Sequence, residues 1–88
     1  MRHVNEVDLD RLEPLLRELR AMPQLRERKR GTFTYKSRAF LHFHADGDDL
    51  LADVRLTDDF ERHLASTAVQ RKALLRLIKG SLKPIGAS

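Results

Sequence analysis

From residue 11 to residue 22 the apolar positions Leu12, Leu15, Leu16, Leu19 and Met22 recur at intervals of three and four, with Glu13, Arg17 and Arg20 between them. That period gathers the leucines on one arc of a helix and sets the charges opposite, the pattern of a helix packed on a core. Asp10 is the expected N-cap, with Glu13 reaching back to complete a capping box. Pro14 then falls in the first turn, where its missing N–H breaks no intrahelical bond, and Pro23 ends the helix.

Beyond the polar connector QLRERKRG the period changes. The stretch GTFTYKSRAFLHFHADGDDLLADVRL is rich in β-branched and aromatic residues and is broken by turn residues. Three antiparallel strands are predicted, over 31–36, 39–45 and 50–56. Lys36-Ser37-Arg38 makes the first turn and Asp46-Gly47 the second, because glycine adopts positive φ at little cost. Alternation puts Leu41, Phe43 and Ala45 on one face with Leu50, Ala52, Val54 and Leu56. Phe40, His42 and His44 share the other face with Leu51, Asp53 and Arg55. Two hairpin registers keep that parity, and both turn the histidines away from the helices. One sets Asp53 opposite His42; the other sets Asp53 opposite Phe40 and Asp49 opposite His44.

Segment 57–65 reads either as a helical turn capped by Thr57 or, by preference, as a fourth strand from Phe60 to Leu64. Thr67 with Gln70 is a capping box, and Val69, Ala73, Leu74, Leu77 and Ile78 form the apolar arc of a closing helix bracketed by Gly80 and Pro84. The order α-β-β-β-(β)-α predicts a small α+β two-layer sandwich. Its sheet is an antiparallel meander of three or four strands, with two helices on one face and the other face left to solvent or a partner.

The length of 88 residues makes this one domain, with 1–7 and 84–88 expected as loose tails, and leaves little room for a large buried cavity. The absence of cysteine excludes a disulfide, a thiolate zinc site and a cysteine nucleophile. Any metal must therefore be held by histidine and carboxylate. The first residues are charged throughout, and no apolar stretch is long enough to cross a bilayer, so a cytoplasmic protein without a membrane partner is expected.

The net charge of +4 hides a segregation. Residues 1–38 carry ten Lys/Arg against six Asp/Glu, residues 39–65 two against seven, and residues 66–88 five against none. A nucleic-acid partner would have to meet the basic ends. Its contacts would come from Arg26, Arg28, Lys29 and Arg30 in the connector, and from Lys72, Arg76, Lys79 and Lys83, which stack on one face of the last helix. Phe33, Tyr35 and Phe40 are the few aromatic rings that could stack on bases, and no RNP-type motif accompanies them.

The candidate chemistry lies in the second strand. His42 and His44 project from one face roughly 6.5–7 Å apart, a separation two imidazoles can close onto one ion. Asp53 supplies the third ligand in the register that faces it to His42. A divalent metal such as zinc is the cofactor this set would take. ADGDD lacks the spacing and the closing glutamate of a calcium loop and reads as a turn. No phosphate-binding glycine loop, nucleophile elbow or His-Glu-x-x-His is present, and no residue is assigned a catalytic role.

FTYKSRAFLHFH, then LLADVRL, then FERHLASTAVQRKALLRLI resemble the small bacterial proteins labelled "luciferase domain", from about Gly31 to Ile78. The resemblance implies a compact α+β unit with no established activity and brings no functional residues with it. The chain is too short for a light-emitting oxygenase barrel and carries no flavin or adenylate motif. The leading expectation is a non-enzymatic binding or interaction module that uses the open sheet face at Phe40, His42, His44, Leu51 and Asp53 and self-associates as a homodimer. Metal binding at His42, His44 and Asp53 is the alternative, and nucleic-acid binding the third.

Overall fold

The computed structural model describes residues 1–82. The elements in chain order are β1 (Arg2–His3), α1 (Glu6–Arg20), β2 (Leu25–Lys29), β3 (Thr32–Tyr35), β4 (Arg38–Asp46), β5 (Asp49–Val54), β6 (Glu61–Leu64) and α2 (Ala68–Ser81). The fold is α+β, with two helices and one antiparallel sheet in the order β2-β3-β4-β5-β6. β1 pairs with β4 at His44 and Ala45. Since β5 takes one edge of β4 from Leu41 to Asp46, β1 lies on the other edge, past the end of β3, whose pairs stop at Leu41.

Three elements differ from the sequence expectation. α1 begins five residues earlier, at Glu6, because Asn5 caps it: its side chain accepts from the Asp8 N–H while Asp8 accepts from the Asn5 N–H. Residues 2–7 therefore belong to the fold and are not a tail. Arg2 donates to the buried Asp8 at 2.6 Å and ties β1 to the start of α1. The connector contains β2, whose residues have no apolar alternation. Instead Glu27 accepts from Arg20 of α1 at 2.6 Å, so an ion pair stands where an apolar contact is usual.

Both turns are two-residue turns. Lys36 and Ser37, each with positive φ, join β3 to β4, and Gly47-Asp48 joins β4 to β5. The central glycine is thus first in its turn, one place later than Asp46-Gly47 implied. The fourth strand expected near Phe60–Leu64 is β6, and Thr67 and Gln70 cap α2 as a capping box. Residues 83–88, with Lys83 and the expected tail, lie outside the described residues.

The core forms where the leucines of α1, Leu74 and Ile78 of α2, and the alternate residues Leu41, Phe43, Ala45, Leu50, Ala52 and Val54 meet. Phe33 and Leu41 pair, but Thr34 pairs with Ala39, so Phe40 is an extra residue on β4. This bulge breaks the alternation. Phe40 is buried and set edge-on to Tyr35, and it leaves the exposed face on which alternation placed it.

Around Glu13 the helix and sheet are joined by charge. Glu13 accepts from Arg20 and Arg30, and Arg30 also donates to Glu6 and Asp10, so residues 6, 10 and 13 of α1 converge on one guanidinium. Hydrogen bonds from Arg20 and Arg30 pull the Glu13 carboxyl down to about 2. A carboxyl depressed in this way stabilises the fold above its unfolded value near 4.5 and ceases to do so as pH falls through about 2. The difference in urea midpoint between the protein and Glu13→Gln is expected above pH 4.5 and should close as pH approaches 2; a difference constant with pH would contradict it.

Gly31 has φ +84°, and a Cβ there would sit 2.7 Å from Cδ2 of Leu9. Gly31→Ala combines left-handed backbone strain with overpacking of the α1 contact. It is expected to destabilise by about 2–3 kcal/mol in urea unfolding, whereas Gly47→Ala, with nothing within 4 Å, meets only the backbone term.

Candidate metal centre

The hairpin register places His42 opposite Asp53 and His44 opposite Leu51. The next strand continues both rows, with Arg62 beside Asp53 and Leu64 beside Leu51, while His3 of β1 pairs with His44. Because the intervening residues are core, both rows lie on the outer face. One reads His42–Asp53–Arg62, the other His3–His44–Leu51–Leu64.

Nε2 of His42 and of His44 lie 3.3 and 3.1 Å from the same Oδ2 of Asp53. The two rings meet edge-to-face with centroids 4.9 Å apart. Arg62 donates from Nε to Oδ1 at 2.8 Å and from Nη2 to Oδ2 at 3.1 Å. A buried carboxylate is unfavourable unless a cation and donors meet it. Arg62 and the imidazoles do so, and hydrogen bonding from Arg62 holds the Asp53 carboxyl below the usual carboxylate range.

Burial pushes His42 below the ordinary histidine value, outweighing the attraction of Asp53, and the neighbouring His44 works in the same direction. At neutral pH the set is thus a carboxylate facing a neutral His42, the protonation state metal ligation requires. Donor atoms of His42, His44 and Asp53 all lie within 4.8 Å of one another. The two Nε2-to-oxygen separations are near the edge of about 3.3 Å expected between ligands of a tetrahedral ion with bonds near 2.0–2.1 Å, while the set as a whole extends to 4.8 Å and would have to close around an ion.

Of the other positions expected on this face, Leu51 is half-buried beside His44, and Phe40 is withdrawn by the bulge. Two residues join that alternation did not single out. Arg62 neutralises Asp53, and the exposed Phe60 sets its ring 5.2 Å from His42 while Arg55 stacks on it at 4.6 Å. Arg62 could have been found by extending the register across the fourth strand expected from Phe60 to Leu64, whose alternation also sets Phe60 on the face of Arg62; in the structure Phe60 lies just before β6, which begins at Glu61. His63 is directed to the other side, paired with the buried Ala52.

The two basic groups do not form one surface. Arg26 and Arg28 are exposed on edge strand β2, Arg30 is held by three acids of α1, and Lys72, Arg76 and Lys79 lie on α2, which contacts β6 at the opposite edge.

Fold and cluster together define a small α+β domain with a histidine–carboxylate site on the open face of its sheet. No protein-family model matches the chain, no curated protein is similar to it, and no solved structure matches it. Among the described residues no helix is long and apolar enough to cross a membrane.

The environment of His42 is testable by itself. Its ring signals should titrate below 6.5, and Asp53→Asn, which removes the opposing negative charge, should lower the midpoint further. With a depressed folded value, the contribution of His42 to stability is complete above the unfolded value near 6.5 and declines as pH falls toward the folded one. A midpoint above 6.5 in the unaltered protein would overturn the burial argument.

Proposed function

We propose that this protein is a non-enzymatic binding module whose outer sheet face holds a late first-row divalent ion, Zn²⁺ being the natural occupant. The observation that carries the reading is the convergence of two imidazole Nε2 atoms on one carboxylate oxygen, at 3.3 and 3.1 Å, from adjacent strands with no intervening loop. A strand-borne site is held by the ladder itself, so little chain ordering opposes binding. Two nitrogen ligands and one oxygen suit Zn²⁺ and its neighbours and are too few and too nitrogen-rich for Ca²⁺ or Mg²⁺. Three protein ligands leave a position open, which a solvent molecule, a small ligand or a partner side chain would take.

Self-association is the companion reading. Phe60 and Leu64 expose 40% and 47% of their surfaces next to the histidine rows, and β6 is an edge strand. A second copy covering that rim would bury them beside the ion.

Titration of the purified protein with ZnCl₂, followed by histidine ring NMR, tests the first reading. Stoichiometric shifts of His42 and His44 with His63 unmoved are expected. His42→Ala and His44→Ala should each weaken binding by at least about a hundredfold, and binding should weaken as acid protonates His42. Unchanged affinity in both variants would refute the site. Sedimentation with and without Zn²⁺ separates the companion reading, because a monomer at every concentration excludes the dimer and leaves the metal site standing.

A further inference from the structure

The outer face leaves the other side of the molecule unexplained. There α1 and α2 lie against each other, and between them runs a groove of about 470 Å³ lined by Pro14, Leu15 and Glu18 of α1 and by Ala68, Arg71, Lys72, Leu75 and Lys79 of α2. Its apolar lining comes from Pro14, Leu15, Ala68 and Leu75. Lys72, Arg76 and Lys79 follow i, i+4, i+7 spacing and so rise in a row along α2. All three are exposed and enter no ion pair among the described residues, and no Asp or Glu follows Glu61 anywhere in the chain. Arg30 of the connector shows the contrast, since it is neutralised three times over by α1, whereas Arg26 and Arg28 are exposed and, like the α2 row, enter no ion pair among the described residues.

We infer that this groove is a docking site for an acidic amphipathic helix of a partner protein, which lays its leucine face on Pro14, Ala68 and Leu75 and pairs carboxylates one turn apart with Lys72, Arg76 and Lys79. Shape and charge choose this occupant. The groove follows α2 for the eleven residue steps from Ala68 to Lys79, about 16 Å at helical rise, a length that suits a helix laid alongside. A second copy would bring its own cationic row and be repelled. Nucleic acid would find cations but no aromatic ring to stack on among the lining residues.

The test uses the full chain and a fluorescent amphipathic peptide with leucine at i, i+3 and i+7 and glutamate flanking that stripe. Controls are the same peptide with glutamine for glutamate, phosphatidylglycerol vesicles and single-stranded DNA. The acidic peptide should bind, shift the backbone amides of residues 15–18 and 68–79, and lose affinity on the order of tenfold in Lys72→Glu with Lys79→Glu. These positions are exposed, so the unfolding curve should not move; Arg26→Glu, on edge strand β2, should leave binding unchanged. Failure of the acidic peptide to bind, equal binding of the glutamine peptide, equal weakening by Arg26→Glu, or binding of vesicles or DNA in its place would each overturn the proposal.

Discussion

The register of the β4–β5 hairpin governs both faces of this molecule. Gly47 and Asp48 close a two-residue turn with Asp46 opposite Asp49, and from there each pair follows by count to Leu41 opposite Val54. Side chains alternate with a period of two, so a slip of β4 by one residue would send Phe43 to solvent and the histidines into the leucine layer, and a slip of β5 would send Ala52 and Val54 to solvent. The core therefore enforces the register, and the register in turn delivers His42 to Asp53. A site of this kind needs no loop to shape it, because the same hydrophobic burial that stabilises the sandwich also sets the distance between its ligands.

The charged residues divide into those that hold the fold and those that do not. Glu13, Glu27, Arg20 and Arg30 connect α1 to β2 and to the turn before Gly31, with Glu27 also accepting from the Gly31 N–H at 3.0 Å. Bidentate and shared guanidinium contacts of this sort are geometrically specific as well as attractive. They explain how a strand composed of Leu-Arg-Glu-Arg-Lys lies at the sheet edge with only Leu25 in the core. Lys72, Arg76 and Lys79 have no such partners. The segregation of charge along the chain is thus partly resolved inside the fold, at α1 and β2, and partly left open on α2.

Much of this was legible in the sequence, for identifiable reasons. The leucine period of α1, the capping box at Thr67 and the alternation in AFLHFHAD and LLADV each follow from geometry that tertiary contacts reinforce, and these produced the fold class and the facing of His42 and His44 away from the helices. β2 was not legible because its inward residue is Glu27, which alternation counts as outward. The start of α1 was hidden because Asn5 and Asp8 form a capping box before any apolar period begins, and Asp10 offered a second plausible cap. Phe40 misled because a bulge is a single extra residue and leaves no mark on the pattern. The choice between registers, and with it the His42–Asp53 pair, was open until the turn was fixed at Gly47-Asp48.

Arg62 gives the site its last constraint. Asp53 is buried, so it requires a positive partner at all times, and in the absence of an ion Arg62 supplies one through both carboxylate oxygens. An ion at Oδ2 would displace the Nη2 contact while the Nε contact to Oδ1 could persist, turning Arg62 from counter-charge into the group that orients the ligand. The net affinity is then the difference between two cations competing for one carboxylate. If the proposed ion binds there, the Arg62 pair that neutralises Asp53 in its absence would moderate the hold on it, and reversible occupancy would be the expected regime.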